Sequence, residues 1–89
     1  MAVHVLSHEA IHMSGVSNEA QTECMAMQRD TEMAQLLDAP PRAAGALAIA
    51  YWRDVYPSMP AGYRSDECGP GLALDGGRPD APWVLAASE

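Results

Sequence analysis

The residues best suited to chemistry stand together near the start of the chain, as His8-Glu9-Ala10-Ile11-His12. On a helix, side chains four apart share a face, one turn above the other. His8 and His12 can therefore grip one metal ion, and an H-E-x-x-H helix is a zinc-binding pattern. Glu9 follows the first ligand and can act as general base toward a water activated by that ion. Hydrolytic zinc needs a third protein ligand and an open position. Candidates follow at once in Asn18-Glu19-Ala20-Gln21-Thr22-Glu23-Cys24. In an antiparallel helical hairpin turning at Gly15, Glu19 faces His12 and Glu23 lies one turn on, near the level of His8. One carboxylate can bind the metal, while the other accepts the free ring N–H of a ligand histidine. His4 continues the stripe, but two turns separate it from His12, so it is assigned to packing or support of the ligands. Tyr63 and Arg64 are candidates to stabilise a developing oxyanion if the tail folds over the metal.

The elements that must position these groups are three helices and a tail. The first spans roughly 2–13 and ends at Ser14-Gly15, where glycine supplies a left-handed cap. The second spans 18–37, with Ser17 or Asn18 as N-cap and Glu19 in the first turn, where the helix dipole favours an acid. Its apolar positions are Ala20, Cys24, Met27, Ala34 and Leu37. Asp38-Ala39-Pro40-Pro41 stops it. A third helix spans 42–56, with Pro41 suited to its first position and Ala44, Leu47, Ala48, Tyr51 and Val55 on its apolar face. Residues 57–89 hold five of the seven glycines and five of the seven prolines. This segment reads as turns and extended chain, with a short strand around Leu72–Leu74. Trp52, Tyr56 and Trp83 read as core or as contacts to a missing N-terminal domain or partner chain, and the methionines Met13, Met25, Met27 and Met33 read as core filling. The fold class is mainly α: a helical hairpin and third helix over 1–56 forming a metal-binding core, with the irregular tail of 57–89 packed on it as one domain.

With 89 residues the core is thin, and a metal or disulfide is a common remedy. Five basic residues, all Arg, stand against 12 acidic ones, for a net charge of −7. That excludes the basic footprint of nucleic-acid binding and a polybasic membrane-surface role. No apolar run is long enough to span a membrane. The opening Met1-Ala2-Val3-His4-Val5 lacks the features of a signal peptide. Cys24 and Cys68 do not form a CxxC pair, so they are either two thiols or one disulfide. A bridge is favoured because the core is small and the tail has little regular bonding to hold it; with it export becomes an option, and without it the localisation stays open.

The run Asn18-Glu19-Ala20-Gln21-Thr22-Glu23 resembles the N-E-x-x-S-D segment of thermolysin-like gluzincins. That resemblance implies Glu19 as the third zinc ligand and Glu23 as the support of a ligand histidine. Glu19-Ala20 followed by an Ala/Met-rich helix also resembles the ImmA/IrrE-type metallopeptidases. The whole run His8–Cys24, with the Tyr/Cys/Gly-rich segment Tyr63–Asp75, is similar to small uncharacterised metallopeptidase-like proteins of actinobacteria. Two departures stand out. Only six residues, Met13 to Asn18, separate His12 from Glu19, fewer than in thermolysin-like proteins. The spacing His12 to Asn18 imitates the metzincin H-x-x-G-x-x-H, but a neutral amide is a poor zinc ligand, which favours Glu19 over Asn18. Zincins also place a sheet before the active-site helix, and this chain starts only seven residues ahead of His8. It is therefore expected to be the C-terminal part of a longer protein or to have a misplaced start.

Two functions compete on these residues. One is a zinc metallopeptidase acting on peptide or protein substrates, with zinc on His8, His12 and Glu19 and with Glu9 as base. The other is a non-catalytic metal-binding or partner-docking helical domain, or an inactive fragment of a larger zincin.

Overall fold

The computed structural model describes residues 2–89. The fold is mainly α, with no strand among the described residues. Helix α1 spans Ala2–Met13, α2 spans Glu19–Leu36, α3 spans Pro41–Ala50 and α4 spans Pro82–Ala87. A π-helical turn, Tyr51–Val55, and a 3₁₀ turn, Tyr56–Ser58, prolong α3, and a further 3₁₀ turn covers Ala61–Tyr63.

The α1–α2 reversal is local chemistry. Ser14 N–H donates to the carbonyls of Ala10 and Ile11, and Gly15 N–H to that of His12. Gly15 then turns the chain at φ +107°, a value that side-chain-bearing residues resist. Asn18 caps α2, its side-chain oxygen accepting from Gln21 N–H at 2.9 Å. The side-chain pairs His12–Glu19, His8–Glu23 and His4–Asp30 run in opposite directions along the two helices, so the hairpin is antiparallel. Leu37 ends α2 and Asp38 follows at φ +73°, a left-handed residue that Asp tolerates better than most. This turn leaves Leu37 52% exposed, not on the apolar face expected of it. Met13, expected in the core, is 87% exposed at the end of α1.

Met27 of α2 packs against Tyr51 and Tyr56, while Cys24 packs with Ala81 and Trp83. Trp52 is half-buried against both groups. The tail differs from expectation in two places. First, it contains α4, with Pro82 at its first turn, where a missing N–H costs nothing. Helix α4 packs closely on α3: a Cβ on Gly45 would stand 3.2 Å from Leu85 Cδ1, so that side chain would have to shift by a few tenths of an ångström to admit one. Second, the strand expected around Leu72–Leu74 is a turn. The Asp75 carboxylate accepts from the N–H groups of Gly71 (2.8 Å) and Gly77 (2.9 Å), which curls the backbone instead of extending it. Those two bonds hold the Asp75 carboxyl below its ordinary range. Leu72 is exposed as a result.

Side chains of α2 hold the tail down. Buried Gln28 donates to Leu74 O at 2.9 Å and accepts from Gly76 N–H at 2.7 Å, so one amide satisfies two backbone groups of an irregular segment. Thr31 donates to Asp80 O at 3.2 Å. Cys24 and Cys68 are joined in a disulfide, with Cα atoms 5.8 Å apart.

Candidate metal centre

The hairpin brings His8, His12 and Glu19 together. Nε2 of His8 and Nε2 of His12 stand 3.1 Å apart. Glu19 Oε1 lies 2.6 Å from His12 Nε2, and its Oε2 3.5 Å from His8 Nε2. One ligand atom from each residue falls within 4.8 Å of the others. The side chains are 14%, 28% and 38% exposed, so the group is reachable from solvent.

The tautomers follow from the partners. His12 Nδ1 lies 2.8 Å from Val16 O, which can only accept, so Nδ1 carries the proton. Gly15 makes this bond, because its turn swings the Val16 carbonyl back over the ring. His8 Nδ1 lies 3.0 Å from Glu23 Oε1, again an acceptor, so it too donates. The neutral rings therefore point two bare Nε2 lone pairs toward each other and toward a carboxylate. Such an arrangement repels itself unless a cation or a proton sits in its middle. Zinc–nitrogen bonds of ~2.0–2.1 Å at the tetrahedral angle separate two nitrogens by about 3.3 Å, close to the distance seen. The histidine pair thus matches the spacing of two zinc ligands and the donor types suit zinc, while Glu19 Oε1, 2.6 Å from His12 Nε2, stands at hydrogen-bond distance and would have to open to admit the ion. A proton competes for this gap: the Val16 bond first, and Glu19 after it, raise His12 above its ordinary pKa. Metal binding at this nitrogen therefore competes with protonation.

Behind this group lies a buried polar array. Glu23 is 1% exposed, and its Oε1 accepts from His4 Nε2 at 2.6 Å as well as from His8. Its Oε2 accepts from the Tyr51 hydroxyl. His4 Nδ1 lies 2.7 Å from Oδ2 of fully buried Asp30. With an acceptor on each nitrogen, His4 is an imidazolium. Burial opposes its charge, but the Asp30 and Glu23 bonds win and lift its pKa to about 9. Burial likewise opposes the charge of Glu23, yet bonds from His4 and Tyr51 hold its carboxyl below the usual range. Burial pushes Asp30 up against the pull of His4, and it pushes the Tyr51 phenol up with the help of Glu23. The His4 ring stacks on Tyr51 at a centroid distance of 3.7 Å, a cation over an aromatic face.

This array makes stability depend on pH. A histidine raised from 6.5 to about 9 stabilises the fold fully below pH 6.5, and its contribution is lost as pH rises through 9. The metal-free chain should lose on the order of 3 kcal/mol over that range in urea unfolding. His4→Gln should flatten the profile. An equal slope in parent and variant would contradict the assignment.

A cleft of about 340 Å³ opens beside His8, with Glu9, Tyr63, Val5, Val55 and Met59 among its lining. Glu9 is exposed at this cleft. The Tyr63 ring lies 6.2 Å from that of His8, and the Glu19 carboxylate against its hydroxyl raises the phenol above its ordinary value. Arg64 does not join them. Its Nε donates to Met59 O at 2.7 Å, and it lines a different cleft with Tyr56 and Pro57.

His4, expected in packing or in support of the ligands, lies in this buried array; Asp30 and Tyr51, which join it there, were not marked by the sequence. Asp30 is an acid on the second helix, 26 residues from His4, and nothing local marks it as buried. Tyr51 reads as one more residue of an apolar face. The available signal was its polar handle, since a buried tyrosine hydroxyl needs a partner. Comparison with protein families, with characterised proteins and with solved structures finds no match to the chain. No helix among the described residues is long and apolar enough to cross a membrane.

Proposed function

We propose that this protein is a zinc-dependent hydrolase acting on peptide bonds. His8, His12 and Glu19 would hold the ion. One observation carries the reading: two histidine Nε2 atoms 3.1 Å apart, with both Nδ1 protons committed elsewhere, converge on a carboxylate beside an open cleft. When bound, zinc supplies Lewis acidity that makes water nucleophilic near neutral pH and polarises a carbonyl. The chain's own residues do the rest. Glu9, next to His8 on the helix and exposed in the cleft, takes the proton from the attacking water and returns it to the leaving amine. Tyr63, a phenol at neutral pH, would turn its O–H from the Glu19 carboxylate to the carbonyl oxygen as charge develops there. Val5, Val55 and Met59 give the cleft an apolar wall for a substrate side chain. The Cys24–Cys68 bridge accords with an oxidising compartment.

The test is hydrolysis of a mixed quenched-fluorescent peptide library by the zinc-loaded chain. Cleavage should stop with a chelator and return with added zinc. No cleavage by a zinc-loaded, folded chain would favour the non-catalytic metal-binding domain.

A further inference from the structure

The buried array behind His8 is an odd choice for packing alone. It places His4, Glu23, Asp30 and Tyr51 within the core, each less than 10% exposed. Asp30 Oδ1 has no hydrogen-bond partner among the described residues. Charged groups buried this way seldom stabilise more than apolar residues of equal volume would. Their geometry, however, is directional. Asp30 Oδ2 meets His4 Nδ1 at 2.7 Å, His4 Nε2 meets Glu23 Oε1 at 2.6 Å, and the same Oε1 meets His8 Nδ1 at 3.0 Å. Tyr51 holds the other Glu23 oxygen, so both oxygens are fixed and the carboxylate cannot rotate. The series begins on α2, crosses to α1, returns to α2 and ends on α1, with Tyr51 joining from the end of α3.

We infer that Asp30, His4 and Tyr51 are positioning residues for the metal centre: they lock Glu23 so that His8 keeps its Nδ1 proton and presents Nε2 to the ion. The inference rests on the metal reading above and extends it to three residues that touch no ligand atom. A carboxylate held in place orients the ring, fixes its tautomer and raises its basicity as a ligand. Losing an outer partner of this kind typically weakens metal affinity by about 10- to 100-fold. A Glu23 freed from Tyr51 or His4 could turn away from His8, and the ring could then take its other tautomer, with the proton on the atom that should bind metal.

The test uses the full chain and reads metal, not activity. Tyr51→Phe removes one oxygen and keeps the ring that stacks on His4. Asp30→Asn and Glu23→Gln complete the series, and Ile49→Ala, a buried α3 residue outside the array, controls for lost stability. Zinc dissociation constants come from chelator competition, and the visible absorption of the cobalt-substituted chain reports ligand geometry. Tyr51→Phe should bind zinc about tenfold or more weakly and alter the cobalt spectrum, and Glu23→Gln should do so more strongly, while Ile49→Ala lowers the melting temperature and changes neither. If Asp30→Asn fails to fold, Tyr51→Phe decides alone. Parent-like affinity and spectrum in Tyr51→Phe would overturn the inference and leave the metal reading standing. A parent chain that takes up no zinc would overturn both.

Discussion

Replacing Glu9 by Gln should leave the fold and the bound zinc unchanged and lower kcat for peptide hydrolysis by about 10²- to 10⁴-fold, with little change in KM. The position of Glu9 sets this expectation. It is an exposed residue of α1, next to His8, on the wall of the cleft. Gln has a similar helix propensity and nearly the same shape, so α1 keeps its length and packing. Neither the His8–Glu23 nor the His12–Val16 bond involves Glu9, so both ligand tautomers persist. What disappears is the carboxylate that accepts a proton. The check is a pair of numbers on one preparation: zinc per chain, and the rate on the best library substrate. Full zinc with parent-like turnover would remove Glu9 from the reaction. Zinc lost together with activity would make Glu9 part of the binding site instead.

Reducing the Cys24–Cys68 bridge should cost the fold ~4 kcal/mol by the loop-closure model, less whatever the native geometry gives back. The sequence separation is 44, long enough for the bridge to remove much freedom from the unfolded chain. An 89-residue domain has only about 4–13 kcal/mol to lose. The melting midpoint should therefore fall by on the order of 15–30 °C. The loss should also be uneven. Cys68 anchors an irregular segment whose other ties to α2 are the Gln28 bonds to Leu74 and Gly76 and the Thr31 bond to Asp80. Hydrogen exchange should rise first over 57–80, while α1 and α2 keep their protection. Mass mapping of the unreduced protein, with melting curves before and after reduction, checks both points. Two free thiols in the isolated chain, or an unchanged midpoint, would contradict the clamp.

The hairpin was legible because its signals are local. A glycine that must turn left, an asparagine that caps, and a Pro-Pro stop lie next to the residues they govern, and the bounds of α1 and α2 fall within a residue of those read from the sequence. The same locality places Glu19 opposite His12, since both flank one short turn. What the sequence concealed is of two kinds. The Asp75 turn and α4 occupy a segment dense in Gly and Pro, where short elements leave no periodicity to detect. Pro82 at a first helical turn was the one cue, and α4 is only six residues long with Pro82 counted. The Asp30–His4–Glu23–Tyr51 array is invisible for another reason. It joins α1, α2 and the end of α3 at separations of 26, 19 and 28 residues, and only tertiary packing makes those groups neighbours. Arg64 failed in the opposite sense. Adjacent to Tyr63 in sequence, it turns back to its own backbone at Met59, so neighbourhood along the chain did not carry into space.

The proposed function requires His8, His12 and Glu19 to hold one ion. Elemental analysis of the purified chain, after dialysis against buffered zinc, tests it most directly when parent and His8→Ala are run side by side. The parent should hold about one zinc per chain, and His8→Ala should hold none and melt at a lower temperature, because the ion ties α1 to α2. A parent without zinc, or a His8→Ala chain that still carries a full equivalent, would contradict the account.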